Sequence, residues 1–565
     1  MLQCKDFPYE RIDMSQLKEE FTEQLNNFTE ISTYEQEEAA ITTILALQRK
    51  FLTAWSIASN RFCINTEDDF YKKEQEFYDE QVPYFDEWKN EYYRAILHSR
   101  HREKHEQKWG KVYFTLAEKQ MSTFSPDVLY DLQEENKYCS EYVKLIASAK
   151  VGFDGKELSL PELGPYQQSI DRDIRKKAID AKYQYMQDHE AELDHIFDKL
   201  VKIRTTIAHK LGFPSFVELG YARMQRIDYN QEMVGVFREQ VKKQIVPAVN
   251  RLKERQRQHI GVSTLTYYDD PLLFPSGNPV PKGEPEWILE NGKRMYKELS
   301  PETNEFFKMM VDRGLLDVYS RKGKATGGYC DYFQEQQVPF IFANFNGTSH
   351  DVVVLTHEVG HAFQAYSSRH IPMPECIFPT SESAEIHSMS MEFLTWPWMS
   401  LFFKEDAEKF KYEHVHDSLS SILYICMVDE YQHYVYENHT ASPEDRKQAW
   451  RQLEREYRPY YNFEENDYLE RGNYWHQQRH IFKYPFYYID YGLAQICAFQ
   501  FWQLANKDRE QAWKNYLRIC EVGGTKSFTE IVELAELRSP FTAGCLDSVV
   551  KDIVDWLEQA DYEKM

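Results

Sequence analysis

A chain of 565 residues, 42% hydrophobic and 15% aromatic, has ample material for a large core. Its formal net charge of −24 argues against a nucleic-acid binder, which needs a basic footprint. Nine scattered cysteines with no C-x-x-C pair exclude a disulfide framework and imply thiols in a reducing compartment. The N-terminus, MLQCKDFPYERIDMSQLKEEF, lacks the basic-then-apolar pattern of a secretory signal. No stretch approaches the about 18 apolar residues of a membrane span, so a soluble, cytoplasmic protein is expected.

Helical periodicity dominates the first 200 residues. It is clearest over 13–28 (DMSQLKEEFTEQLNNF), over 37–62, and in one long run over 171–212. Residues 260–295 cluster Pro, Gly and Asp and read as an irregular insertion. KATGGYC (324–330) reads as a loop opening a small sheet. QVPFIFANFNG (337–347) alternates apolar and polar residues into Asn-Gly, a strand running into a turn. Beyond it the pattern is helical to the end, so the class is mainly α with a small sheet.

VVVLTHEVGHAFQAYSSRH (352–370) follows a helical period. Leu355, Val359, Ala362, Phe363 and Tyr366 form a packing stripe, while His357, Glu358 and His361 lie on roughly the opposite side. Solvated histidines on an outer face would be the plain reading. Yet a chance H-E-x-x-H is expected only about 0.05 times in such a chain. The spacing suits chemistry: imidazoles one turn apart can share one Zn²⁺, and the adjacent Glu can serve a water on it. Gly360 inside the helix costs about 1 kcal/mol relative to alanine, which points to something passing close to the backbone.

Catalytic zinc commonly takes three protein ligands. The extension H-E-x-x-H-x-x-G-x-x-H fails, because Gln364 and Ser367 occupy the Gly and His positions. PTSESAEIHSMSMEFLTW (379–396) instead offers an acidic helix started by Pro-Thr-Ser. Glu382, Glu385, Met389 and Glu392 share one face, and His387 falls on the packing side. Buried acids need a partner or a metal; an acidic solvent-facing stripe is the alternative. Further on, NYWHQQRHIFKYPFYYIDYGLA (473–494) carries five tyrosines, two histidines and two phenylalanines, as an aromatic core helix or as hydrogen-bond donors for a reaction.

HEVGHAFQ, followed at 24 residues by the Glu of AEIHSMSMEF, resembles the oligoendopeptidase F and thimet oligopeptidase family of zinc metallopeptidases. PFIFANFNGTSHDVVVLTHEVGHA is similar to the substrate-strand, glycine-loop and metal-helix run of the oligoendopeptidase F branch, which includes enzymes called PZ-peptidases. The resemblance spans at least 320–500. It implies two helical lobes around a deep channel, with the small sheet beside the metal-binding helix. The N-terminal lobe would be 1–200 and the catalytic region 201–565, together forming one fold. It also implies one Zn²⁺ per chain on His357, His361 and Glu385, with Glu392 orienting a ligand histidine. Tyr491 and His480 would face the oxyanion, and Tyr484 and Tyr488 the substrate. Ala343, Asn344, Phe345 and Gly347 would pair with the substrate backbone as an added strand.

The expected activity is hydrolysis of internal bonds in short unstructured peptides, with Glu358 as general base, by a monomer bound neither to nucleic acid nor to membrane. Two other readings are open. A related exopeptidase would need a cationic anchor such as Arg471 or Arg479. A helical binding protein with structural zinc would need a fourth ligand such as Glu382.

Overall fold

The computed structural model describes residues 2–30, 33–464 and 466–565. Helices dominate it, as the periodicity predicts. Among the described residues the strands form a hairpin of β1 (Val151–Phe153) and β2 (Lys156–Leu158), and a sheet of β3 (Leu316–Tyr319), β4 (Tyr329–Phe333) and β5 (Val338–Phe345). Two compact units are each assembled from separated stretches. One holds Met1–Met121, Val280–Glu405 and Cys497–Leu537; the other holds Ser122–Pro279, Asp406–Ile496 and Arg538–Met565.

In the first unit the helices Met14–Glu30, Tyr34–Ile64 and Asp69–Leu97 pack together. Ile41, Ile44, Leu45 and Phe51 recur at helical spacing and are buried, and Phe51 stacks on Phe85 with ring centroids 4.0 Å apart. Each such apolar side chain contributes about 1.5–3 kcal/mol. The Asp68 carboxylate caps the third helix by accepting from the amides of Phe70 and Tyr71.

In the sheet β5 lies between β3, which it parallels, and β4, which runs antiparallel to it. Its side chains are buried on both faces rather than on alternate ones, as in a strand whose sheet is covered by packed helices. The helix His350–Ser367 packs on β4 and β5, and the helix Ser381–Leu394 packs on that helix in turn.

In the second unit Gln231–His259 packs along Ala407–Glu437 and Cys545–Gln559. The run predicted over 171–212 is two helices, Arg172–Asp188 and Glu190–Lys210. His189 breaks it: its Nδ1–H donates to the Tyr185 carbonyl (2.8 Å), satisfying a helix-end acceptor. The irregular stretch ends earlier than predicted, because Pro285 starts the helix Pro285–Leu299 at its first position. The hairpin was not expected. Its signal is the pair Asp154 (φ +51°) and Gly155 (φ +72°), a turn that needs two left-handed residues. All nine cysteines are free thiols, and among the described residues no helix is long and apolar enough to cross a membrane.

Candidate metal centre

The His350–Ser367 helix keeps its predicted faces in part: Tyr366 of the stripe is half-buried, and Glu358 of the opposite side is buried. Leu355, Val359, Ala362 and Phe363 are buried, while His357 and His361 remain half-buried on the other side. Their rings stand 5.0 Å apart and nearly perpendicular. Gly360 lets the Ser381–Leu394 helix approach. A Cβ there would lie 2.6 Å from the Ser388 Cα and 2.7 Å from the His387 carbonyl oxygen.

That approach brings the Glu385 carboxylate against both imidazoles. Glu385 Oε2 lies 3.2 Å from His357 Nε2 and 3.5 Å from His361 Nε2. One ligand atom from each of the three residues falls within 4.8 Å of the others, and among the described residues this is the group that could hold a metal. Glu382 is not part of it; its Oε1 accepts from Thr380 Oγ1 at 2.9 Å. His387 is buried on the packing side, with Nδ1–H donating to the Ser383 carbonyl (2.8 Å).

Further hydrogen bonds fix these groups. His357 Nδ1–H donates to Glu392 Oε1 at 2.7 Å, which leaves Nε2 facing the cluster. Ser388 Oγ donates to Glu385 Oε2 at 2.9 Å. Burial pulls the His357 imidazolium down, but Glu385 and Glu392 outweigh it and hold it well above its usual value. Burial pushes the Glu385 carboxyl up, while the two histidines hold it far below the ordinary range. The residues fit a metal: two imidazole nitrogens and a carboxylate oxygen form a borderline set suited to zinc.

Glu358 is buried, its Oε2 has no hydrogen-bond partner, and burial raises its pKa. A buried carboxylate oxygen without a partner is costly, and this one adjoins His357 in the chain. The backbone at Gly328 lies close by, since a Cβ there would sit 3.6 Å from Glu358 Oε1.

Ala343 and Phe345 are buried in β5, and Phe345 pairs with Tyr319 of β3. The ladder with β4 ends at Phe342, so the β4-side edge from Ala343 to Phe345 lies beyond it. Asn344 Nδ2 donates to the carbonyls of Ala325 and Gly327, both at 2.9 Å. Gly347 adopts φ +86°. Asp351, which sequence reasoning missed, accepts from the amides of Asn346 (2.9 Å) and Gly347 (2.7 Å) and holds this loop on the first turn of the helix. Its signal was an acid just after an Asn-Gly turn.

In the second unit the tyrosine-rich segment is a broken run: a turn Tyr474–Gln477, a short helix Arg479–Lys483, then the start of Ile489–Lys507. Trp475, Phe482, Phe486 and Ile489 are core, whereas His480, Tyr488 and Tyr491 are half-buried and Tyr484 is exposed. The His480 ring lies among Tyr488 (4.9 Å), Tyr491 (6.2 Å) and Tyr484 (6.3 Å), with Tyr487, a residue sequence reasoning missed, at 5.6 Å. Arg471 is engaged by both oxygens of Glu190 at 2.6 and 2.8 Å, which ties up one of the two arginines considered as carboxylate anchors.

The model of the peptidase M3 N-terminal domain matches residues 4–124, and that of peptidase family M3 matches 166–271 and 297–550. A solved structure of PZ peptidase A with an inhibitor is 53% identical, with a TM-score of 0.95 over 99% of this chain and 100% of that one. A putative oligoendopeptidase F is 51% identical, with a TM-score of 0.95 and full coverage of both chains. One from Bacillus anthracis str. Ames is 49% identical, with a TM-score of 0.90 and full coverage of both. No curated protein matches the chain.

Proposed function

The chain belongs to peptidase family M3 and is a metallopeptidase acting on peptides, and from that premise we propose a zinc-dependent oligoendopeptidase that cuts internal bonds of short unstructured peptides. The observation that carries this reading is the convergence of His357, His361 and Glu385 beside a buried Glu358 with an unsatisfied oxygen.

His357, His361 and Glu385 would hold one Zn²⁺ per chain, with Glu392 fixing the tautomer and direction of His357. The ion, when bound, supplies Lewis acidity that polarises the scissile carbonyl and makes water acidic. Glu358 accepts the proton of the attacking water and returns it to the leaving amine. Tyr491 and His480 donate to the oxyanion as it develops, and Tyr484 and Tyr488 contact the substrate. The part of β5 beyond the β4 ladder, Ala343–Phe345, with the loop through Gly347, takes the substrate backbone as an extended strand. The working form is a cytoplasmic monomer.

The test is mass-spectrometric cleavage mapping of unstructured peptides of graded length, comparing the zinc-loaded wild type with Glu358→Gln. Internal cuts confined to shorter peptides are expected. In the variant, with its metal retained, they should fall by about 10²–10⁴-fold, the usual worth of a general base. Stepwise loss of C-terminal residues would establish an exopeptidase instead, and absence of cleavage would reject the reading.

A further inference from the structure

Tyr484-Pro485-Phe486-Tyr487 forms a β-turn: the Tyr487 N–H donates to the Tyr484 carbonyl at 3.2 Å, with proline second and Phe486 third at φ +67°. The third position of such a turn requires a left-handed backbone, and glycine is its usual occupant. A bulky aromatic residue there is an outlier, and such strain persists only where the surroundings impose it.

The surroundings do impose it. The Phe486 ring is fully buried and seated among Tyr221, His433 and Tyr436, with centroids 5.1–5.8 Å away. Gly220 makes the seat possible: a Cβ there would lie 2.5 Å from the ring. The Phe486 N–H donates to Gln432 Oε1 at 2.9 Å. Buried Arg226 donates to the Phe486 carbonyl and, at 3.1 Å, to Asp490 Oδ1. The Asp490 N–H in turn donates to the Tyr487 carbonyl at 3.0 Å. Arg226 thus bridges Phe486 and Asp490, and Tyr487 and Tyr488 lie between these two fixed points.

We propose that Phe486 is a positioning residue, whose seated ring holds the turn in its strained form and so sets where Tyr487, Tyr488 and Tyr491 stand around His480. This rests on the reading that those groups act on substrate. A side chain chosen for backbone ease would be glycine; phenylalanine is explained by its ring.

The test compares kcat, KM, metal content and thermal midpoint for wild type, Phe486→Gly and Phe486→Leu on an internally quenched peptide. Tyr491→Phe, Tyr488→Phe and His480→Gln serve as references. Phe486→Gly suits the backbone but removes the ring, so kcat is expected to fall about 10–100-fold, the scale of a misplaced reacting geometry. Bound metal should hold, KM should rise by less than kcat falls, and Phe486→Leu, which partly refills the seat, should recover much of kcat. If the glycine variant does not fold, Gly220→Ala, whose Cβ would start 2.5 Å from the Phe486 ring and so disturb its seat, should also lower kcat. Wild-type kcat in these variants, while any reference substitution lowers it, overturns the proposal alone. Wild-type kcat in all three references overturns the underlying reading and this inference with it.

Discussion

Gly360→Ala tests the reasoning about the metal centre without touching a proposed ligand. The new Cβ would start 2.6 Å from the Ser388 Cα and 2.7 Å from the His387 carbonyl oxygen, both backbone atoms that no rotamer change can move. Reaching about 3.5 Å, the near end of ordinary carbon contacts, requires the two helices to separate by about 0.9 Å. Metal–ligand distances tolerate about 0.2 Å, and Glu385 stands on one helix while His357 and His361 stand on the other. Overpacking of this kind costs about 1–3 kcal/mol, offset by about 1 kcal/mol of helix propensity, so the fold should survive a net loss of up to about 2 kcal/mol. Zinc affinity, measured by competition with a chromophoric chelator, should fall about 10–100-fold, as for disturbed ligand support. Peptide cleavage at limiting zinc should fall in parallel. A Gly360→Ala protein with wild-type zinc affinity and thermal midpoint would refute the view that this approach sets the site.

Glu392→Ala removes the acceptor of His357 Nδ1–H and should weaken zinc binding about 10–100-fold in the same competition assay. Lys324→Met should cost about 2–4 kcal/mol in denaturant unfolding, because this half-buried lysine, its side chain shielded from solvent, donates to Asp317 and to the carbonyls of Tyr319 and Ala343 at the end of the sheet. His433 is held at about 4, by burial first, with nearby Arg238 and Arg226 adding to it against Asp429. Its folded pKa lies below the unfolded value of about 6.5, so the unfolded state binds the extra proton and stability falls as pH drops from 6.5 toward 4. His433→Gln should flatten unfolding free energy across that window by about 1.4 kcal/mol per pH unit; an unchanged slope would show that His433 does not carry it.

Much of this molecule is written in local sequence. The period of 352–370 gives a helix with its core stripe and its histidines on separate faces, and the i, i+4 spacing sets the imidazoles one turn apart whatever else the chain does. Gly360 signals the close approach of another backbone, because glycine inside a helix is otherwise a loss. Glu385 is different: the wheel left Glu382 and Glu385 on the same face, and only the resemblance chose between them. The break at His189 escaped because it depends on one side chain reaching back to a carbonyl, with no glycine or proline to announce it. β5 looked like a half-buried strand, and helices from distant parts of the chain, packed on its sheet, buried both its faces.

The sequence by itself determined the helical class, the paired histidines with their adjacent glutamate, and the acidic helix that follows, since each is a matter of residues a few positions apart. Tertiary structure alone decided that Glu385 meets both imidazoles, that Glu358 keeps an unsatisfied oxygen, and that Phe486 is forced into a left-handed turn by Gly220, Gln432 and Arg226. Those outcomes depend on contacts between residues tens to hundreds of positions apart, and excluded volume and burial settle them only when the whole chain is packed.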